Sequence, residues 1–186
     1  MKRGERNRAA LVGAAAELFW HHGFDATSLA DIARAANIPL GNVYYYFRSK
    51  ADLAMAVADV FVTETEAMLT EIEAESERPR ERLSGLVARL ARSLNNRVEH
   101  GCPIAFAVRD FYVSAPDASK RAGESFSLLT GFIARELGRT GTRPSLALAT
   151  ARGAVAEWQG GMMLAYALKD ATVLSESFRR MEQVLS

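Results

Sequence analysis

Hydrophobic positions recur at helical spacing along the chain and predict an all-α protein. In the first predicted helix, over residues 5–22, Leu11, Ala15 and Phe19 fall on one face, as an amphipathic helix requires. No segment alternates apolar and polar residues with a period of two, so the sequence predicts no strand. A second helix begins near Thr27–Ser28, and further helices are predicted over residues 39–47, 49–76, 80–97, 104–113, 117–137, 145–168 and 172–185, with a linker over 138–144.

Glycine, asparagine and proline mark the ends of the first three predicted helices. Gly23 ends the first helix, because glycine readily takes the left-handed conformation at a helix end. The hydroxyl of Thr27 or Ser28 caps the second helix. Asn37 tolerates a left-handed conformation at the exit of that helix, and Pro39 starts the third. Two short helices joined by a tight turn therefore follow the first helix.

Charge is distributed unevenly between the head and the rest of the chain. Residues 1–50 hold seven Lys and Arg against four Asp and Glu, a net charge of +3, whereas the whole chain carries +1. A basic head indicates a polyanionic partner, although a solvated charged face gives the same asymmetry. Together with the short helix pair, the charge predicts a helix-turn-helix that binds double-stranded DNA.

The third predicted helix carries three consecutive tyrosines, Tyr44, Tyr45 and Tyr46. Each residue of a helix turns by about 100°, so the three side chains cannot all face the core. We expect Tyr44 and Tyr45 to contact DNA, and for Tyr46 DNA contact and packing stay equally open. Val43 and Phe47 lie four residues apart and are predicted to face the core together.

The segments TSLADIA (27–33) and NIPLGNVYYYFRSK (37–50) resemble the DNA-binding region of the tetracycline-repressor (TetR) family. The resemblance implies a three-helix DNA-binding domain over residues 1–50 and a helical effector-binding and dimerisation domain over residues 51–186. It also implies that Leu40 and Gly41 read bases in the major groove. The residues that it places on phosphates are Ser28, Asn42, Tyr44, Tyr45 and Lys50.

Three positions depart from the pattern of this family. Many members have a polar residue at the position of Leu40, and leucine can contact only the methyl group of a thymine. Pro39 stands where serine is frequent, and Asn37 replaces a frequent glycine. These departures affect the operator sequence rather than the fold.

The resemblance further implies a homodimer built from the last two helices, and hence a palindromic operator. The alanine-rich run over residues 146–155 and the pair Gly160–Gly161 permit close helix approach. Packing within one chain is the alternative explanation of these small residues.

The middle of the chain is rich in large apolar residues, which suit a pocket for a small apolar or aromatic effector. For each of these residues an ordinary place in the core is the competing interpretation. The expected pocket residues are Phe61, Phe106, Arg109, Tyr112, Phe126, Trp158, Met162 and Tyr166.

Cys102 is the single cysteine, which excludes an internal disulfide and a zinc site made of cysteine pairs. It follows Gly101 at the start of a predicted helix, where the helix dipole favours a thiolate. The segment resembles a subgroup in which some members sense electrophiles or oxidants through a cysteine. A small buried apolar residue is the simpler interpretation.

Two other classes of protein compete with a DNA-binding regulator. The first is an enzyme, in which Cys102 would be the nucleophile and His100 the base. The sequence does not support this class, because no phosphate loop, nucleophile elbow, metal-binding spacing or cofactor motif accompanies the two residues. A helical adaptor leaves the exposed tyrosines unexplained. No apolar run reaches the ~20 residues of a membrane span, and the basic start is not followed by a signal-peptide core, so we expect a cytoplasmic protein. We therefore predict that the protein is a ligand-responsive transcriptional regulator, specifically a repressor, and that it is not an enzyme.

Overall fold

The computed structural model describes residues 3–92 and 94–186. These residues form ten α-helices and no strand, which confirms the predicted all-α class. In chain order the helices are α1 (Arg3–His22), α2 (Leu29–Ala35), α3 (Leu40–Tyr46), α4 (Lys50–Glu75), α5 (Pro79–Ala91), α6 (Leu94–His100), α7 (Pro103–Asp110), α8 (Pro116–Arg139), α9 (Pro144–Leu168) and α10 (Ala171–Leu185).

The predicted single helix over residues 80–97 was wrong, because the described residues there form α5 and α6. The N–H of Arg92 bonds to the carbonyl of Arg89 only three residues back (3.3 Å), a tightening that ends α5. The helix predicted over 104–113 ends at Asp110, and α8 continues two residues beyond its predicted end at 137. The predicted linker over residues 138–144 is therefore shorter in the structure, because α8 ends at Arg139 and α9 begins at Pro144.

The chain divides into two compact units. Unit 1 takes the residues up to Thr63 together with Pro103–Glu124, and unit 2 takes Glu64–Cys102 and Ser125–Ser186. Unit 1 therefore contains α1, α2, α3, the first part of α4, α7 and the first residues of α8. The predicted boundary after residue 50 concerns the DNA-binding segment and stays a prediction.

Unit 1 is built around an aromatic cluster. Phe19 of α1, Phe24 in the turn after α1 and Phe111 after α7 are all buried. The Phe19 and Phe24 rings lie 5.0 Å apart, and Phe111 meets them at 5.6 and 5.1 Å in edge-on contacts, a favourable arrangement for aromatic rings. The core of the first three helices thus includes a residue that comes some sixty positions after them.

Unit 2 is held together by close packing of α9 against α10. Gly161 makes this packing possible, because a Cβ at this position would overlap the side chain of Ser177. The Ser177 hydroxyl donates to the Glu157 carbonyl at 2.6 Å, and Arg180 Nε donates to the Glu157 carboxylate at 2.8 Å. These bonds fix the register of the two helices.

A buried ion pair also stabilises unit 2. Arg82 of α5 and Glu136 of α8 are buried, and a guanidinium nitrogen lies 3.5 Å from a Glu136 carboxylate oxygen. Arg82 also donates to the carbonyls of Ser76 (2.6 Å) and Glu73 (3.0 Å). It therefore supplies donors to the carbonyls at the C-terminal end of α4, which have no partner within that helix.

Candidate functional site

The turn between α1 and α2 and the start of α2 are fixed by short-range hydrogen bonds. Ser28 is the N-cap residue of α2, and its Oγ accepts from the Asp31 N–H at 3.1 Å. In return, the Ser28 N–H and hydroxyl donate to Asp31 Oδ2 at 3.1 and 2.6 Å, and these bonds lower the pKa of Asp31. Of the two predicted capping hydroxyls, Ser28 caps the helix, whereas Thr27 is buried and donates to the Gly23 carbonyl at 2.8 Å. The cap is a capping box, which holds α2 at a defined angle.

The turn from α2 to α3 has the predicted left-handed residue. Asn37 has a φ of 54°, and the Ile38 N–H bonds back to the Ala33 carbonyl at 2.9 Å. Pro39 is the N-cap residue immediately before α3. The helix pair predicted from the sequence is therefore present, with the turn chemistry expected of it.

Helix α3 presents one polar and aromatic face to solvent. Val43 and Phe47 are buried as predicted, whereas Leu40 is 41% exposed, Tyr44 55% and Tyr45 85%. Four-residue spacing places Leu40 beside Tyr44 on that face. Gly41 and Asn42 are also exposed, and no atom lies within 4 Å of where a Gly41 side chain would begin.

Tyr46 differs from its two neighbours. It is half-buried, and its hydroxyl lies 3.5 Å from the side-chain amide nitrogen of Asn7 on α1. Sequence reasoning left Tyr46 open and had no signal for Asn7, because the two residues are 39 positions apart. Tyr46 thus connects α3 to α1 and is turned away from the most exposed part of the face.

Lys50 sits at the first residue of α4, and its ammonium is bound within the chain. Nζ donates to the carbonyls of Phe24 at 2.8 Å and Thr27 at 3.0 Å, with Asp25 at 3.4 Å. It also lies 4.4 Å from the centre of the Phe24 ring. An ammonium has three donors, so in this conformation Lys50 closes the α1–α2 turn. Its predicted phosphate contact stays a prediction.

Several arginines of the predicted basic head are at the protein surface. Arg3, Arg6 and Arg8 on α1 and Arg48 after α3 are exposed. The guanidinium of Arg8 lies over the Phe47 ring at 5.1 Å from its centre. Arg34 on α2 is also exposed and pairs with Asp31 at 2.9 Å, and Lys2 lies outside the described residues.

The residues predicted for an effector pocket divide between the two units. Phe61, Phe106, Arg109 and Tyr112 belong to unit 1. Tyr112 is 73% exposed, and the Arg109 guanidinium lies at the surface over the Phe106 ring and bonds to Asp110 at 2.9 Å. The predicted contacts of these two residues with an effector stay predictions. Arg109 is in the last turn of α7, and Tyr112 follows the end of that helix.

The other four predicted pocket residues are in unit 2. Trp158 and Met162 are buried in α9, and Phe126 and Tyr166 are half-buried. The Phe126 and Trp158 rings meet edge-on at 6.5 Å between centres. The contact joins α8 to α9, and the role of all four residues in an effector pocket stays a prediction.

Cys102 is buried immediately before α7. The side-chain amide of Gln159 lies 3.9 Å from its sulfur. Burial of the guanidinium lowers the pKa of Arg97, and a negative charge on the neighbouring Cys102 sulfur acts against that shift. The thiol therefore has an arginine and an amide as neighbours in unit 2.

Within residues 3–92 and 94–186, no group of three or more His, Cys, Asp or Glu side chains is arranged to hold a metal ion. Among the helices of the same residues, none combines the length and apolar character needed to cross a membrane.

Comparison with known families assigns both parts of the chain. The model for bacterial regulatory proteins of the tetR family matches residues 11–57, and the model for the C-terminal domain of LmrA/YxaF-like transcriptional regulators matches residues 79–179. The second match spans more than half of the chain. The protein belongs to the TetR family of bacterial transcriptional regulators, a family of DNA-binding regulators rather than enzymes.

Individual relatives agree with this assignment. An uncharacterised HTH-type regulator from the lacX 3′ region of Lactococcus lactis is 28% identical and covers 90% of this chain and 87% of its own. The HTH-type transcriptional repressor ComR of Escherichia coli is 39% identical over 56 residues, 30% of this chain and 27% of its own. A TetR regulator structure from Chloroflexus aurantiacus superposes with a TM-score of 0.82 at 26% identity, covering 98% and 96% of the two chains.

Proposed function

We propose that this protein is a repressor that binds a palindromic operator as a homodimer and is released by a small apolar or aromatic effector. The observation that carries the DNA-binding part is the exposed face of α3, where Leu40, Tyr44 and Tyr45 point to solvent while Val43 and Phe47 hold the helix from behind. Leu40 and Gly41 contact base edges, and Asn42 and the two tyrosine hydroxyls donate to phosphate oxygens. Such a regulator works in the cytoplasm, where the operator DNA of a bacterium lies.

Ser28 and Lys50 support the same interface in a different way. The hydroxyl of Ser28 is committed to Asp31, and the ammonium of Lys50 to the carbonyls of the α1–α2 turn. Both residues set the position of α2 and α3, and any phosphate contact that they make comes in addition to this task.

The homodimer is supported by an exposed stripe on α9. Its residues follow one another at alternating intervals of three and four, the spacing at which one helix face packs on another. All of them are exposed, and a Cβ at Gly153 or Gly160 would meet no atom within 4 Å. The stripe consists of Leu146, Ala149, Gly153, Ala156, Gly160, Met163 and Ala167.

The two glycines of the pair at 160–161 therefore have different tasks. Gly161 serves packing inside the chain against Ser177, and Gly160 is available to a second copy. A continuous apolar stripe of this length on an exposed helix face is a liability unless a partner covers it. A dimer with two-fold symmetry places its two α3 helices in successive major grooves about 34 Å apart.

Effector binding then acts by changing the spacing of the two recognition helices. The ligand favours a conformation in which the helices no longer match successive grooves, and a coupling of about 1–3 kcal/mol is typical of such switches. The unit 2 residues Phe126, Trp158, Met162 and Tyr166 supply the aromatic lining for that ligand.

The test is operator binding by Tyr44→Phe across a salt series, on DNA from upstream of the protein's own gene. The variant keeps the ring and loses the hydroxyl, so we expect roughly tenfold weaker binding, because each dimer loses two hydrogen bonds to charged phosphates. The salt dependence should keep its slope, since tyrosine carries no charge. Tyr46→Phe is the matched control, because that hydroxyl faces Asn7.

Equal affinity of the wild-type protein for this DNA and for random DNA would point to an operator elsewhere, and selection from genomic fragments would then identify it. Absence of any DNA binding at low salt would overturn the proposal and favour a helical adaptor. Unchanged binding by Tyr44→Phe would remove Tyr44 from the interface.

Cysteine-based sensing is a second candidate for the signal, favoured by the position of Arg97 and Gln159 around the Cys102 thiol. In this version an electrophile modifies the thiolate and displaces its neighbours. The expected result is release of operator DNA after treatment with N-ethylmaleimide. Release that persists in Cys102→Ser would exclude this candidate.

A further inference from the structure

Two buried hydrogen-bond donors of unit 2 have no acceptor among the described residues. The indole nitrogen of Trp158 and the hydroxyl of Ser125 are inaccessible to solvent, and neither has a hydrogen-bond partner. Trp158 as a whole is 5% exposed and Ser125 0%. Buried polar groups are almost always paired in folded proteins, so an unpaired donor calls for an acceptor that is not part of the chain.

The two donors belong to elements that meet. Ser125 directly precedes Phe126 on α8, and the Phe126 ring makes the edge-on contact with Trp158 of α9. The indole nitrogen can only donate. A group that satisfies it must therefore present a lone pair.

The residue after Trp158 adds polar character to the same part of α9. Gln159 reaches the Cys102 sulfur at 3.9 Å, and the pKa of the buried Arg97 guanidinium next to that sulfur is lowered by its burial. The indole of Trp158 donates and cannot accept, and the Ser125 hydroxyl can donate to the same kind of group. These two donors suit a ligand oxygen and do not suit an amine or a quaternary cation.

We propose that the effector is an aromatic compound with an acceptor oxygen, a carbonyl or a carboxylate, which accepts from Trp158 Nε1–H and from the Ser125 hydroxyl while its ring packs on Phe126. This inference rests on the proposed effector function and narrows its ligand class from apolar or aromatic molecules in general. A ligand without the oxygen would fill the same space and leave both donors unpaired.

The experiment uses the indole N–H signals of the 15N-labelled full chain. The protein has two tryptophans, Trp20 and Trp158, so a Trp20→Phe variant assigns the signals. The probes are acetophenone, benzoate and ethylbenzene, and ethylbenzene has nearly the shape of acetophenone without its oxygen. We expect acetophenone to move the Trp158 proton signal downfield, as a new hydrogen bond does, and to bind roughly tenfold more tightly than ethylbenzene.

Benzoate distinguishes the two groups that could supply the acceptor oxygen, a carboxylate and a neutral carbonyl. Tighter binding of benzoate than of acetophenone would assign the effector to carboxylates, with Arg97 balancing the charge. The reverse order would assign it to neutral carbonyl compounds. Both results support the proposal, because the oxygen is what the donors recognise.

Two variants test whether the Trp158 and Ser125 donors cause the preference for acetophenone over ethylbenzene. Trp158→Phe keeps an aromatic side chain and is expected to weaken acetophenone by roughly fivefold to tenfold, with ethylbenzene unchanged. Ser125→Ala removes the unpaired hydroxyl, so it should weaken acetophenone similarly and raise the melting temperature of the ligand-free protein. Trp20→Phe is the control, with no effect on the preference between the two probes. If Trp158→Phe does not fold, Ser125→Ala and the Trp158 indole signal of the parent protein still test whether the ligand oxygen binds these donors.

Equal binding of acetophenone and ethylbenzene, or no movement of the Trp158 signal at saturation with either oxygen-bearing probe, would overturn the inference. A buried water that satisfies both donors would produce this result. Operator binding and its release by other compounds are measured separately on the same samples. Release of the operator without any effect at Trp158 would therefore reject the ligand class and leave the proposed repressor intact.

Discussion

At the scale of single residues, Lys50 shows how one side chain serves two interfaces. The family resemblance assigns Lys50 to a phosphate, but in the free protein its ammonium binds the carbonyls of Phe24 and Thr27. Residue type and spacing cannot reveal this bond, because the acceptors are backbone atoms that any sequence would provide. The residue therefore positions α2 before it can meet DNA.

The corresponding prediction concerns Lys50→Met. The variant removes hydrogen bonds from a charged donor to two half-buried carbonyls, so we expect a loss of stability of about 1–3 kcal/mol in thermal or urea unfolding. Arg48→Met is the control, because Arg48 is exposed and such surface changes stay within about 0.5 kcal/mol. A phosphate role would appear separately, as a smaller slope of operator affinity against salt. Wild-type stability of Lys50→Met would contradict the positioning role.

The ion pair of Arg82 and Glu136 is a second residue-scale feature, and one that sequence alone could not predict. The Arg82 guanidinium lies 3.8 Å from the Glu77 carboxylate and 3.5 Å from that of Glu136. The Glu77 side chain is 94% exposed, whereas that of Glu136 is 0% exposed. In the sequence both are ordinary glutamates beside arginines. Only burial distinguishes the Glu77 pair, a surface pair that contributes little to stability, from the Glu136 pair, whose loss leaves a buried charge unpaired.

We expect Glu136→Ala to lower the free energy of unfolding by about 3–5 kcal/mol, because it leaves Arg82 buried without its carboxylate. Glu77→Ala, the matched control on the same arginine, should cost less than about 1 kcal/mol. Urea unfolding followed by circular dichroism measures both. Equal costs for the two variants would show that the guanidinium is solvated in solution.

At the scale of elements, the sequence predicted the helix-turn-helix well and the body less well. Capping residues and the left-handed Asn37 are local signals, and each appears where the sequence places it. Phe111 had no such signal. The sequence predicts it only as one apolar residue of the helix over 104–113, whereas the structure shows it packed against Phe19 in the core of unit 1. Contacts between distant segments decide such positions, and the spacing of residues in a single sequence does not record these contacts.

The glycine pair in α9 illustrates the same limit, since both glycines predict close helix approach and only the structure separates them. Gly161→Ala should destabilise the protein by about 1–3 kcal/mol, because its Cβ overlaps Ser177 and α10 must move away. Gly131→Ala in α8, an exposed helical position with open space and outside the α9 stripe, is the control and should be neutral or stabilise its helix by up to about 1 kcal/mol. Unfolding at equal protomer concentration tests both variants. A stable Gly161→Ala would mean that α9 and α10 pack less closely in solution.

At the scale of the whole molecule, the proposed function depends on two copies, because a single α3 helix covers only one half-site. The free surface that suits a second copy is the α9 stripe, and its centre is Ala156. We predict that Ala156→Arg yields a folded monomer, since arginine places a bulky charge where two helices must approach closely. Light scattering after size-exclusion chromatography measures the mass, and circular dichroism confirms the helix content.

The functional consequence separates this interface from the DNA contacts. A monomer loses the second half-site, so Ala156→Arg should weaken operator binding by far more than Tyr44→Phe while leaving the exposed face of α3 intact. Ser127→Arg, at an exposed position of α8, is the control for added charge and should remain dimeric with wild-type affinity. A dimeric Ala156→Arg would place the contact between copies elsewhere. A monomeric variant with full operator affinity would instead contradict the need for two recognition helices, and with it the release of DNA by a change in their spacing.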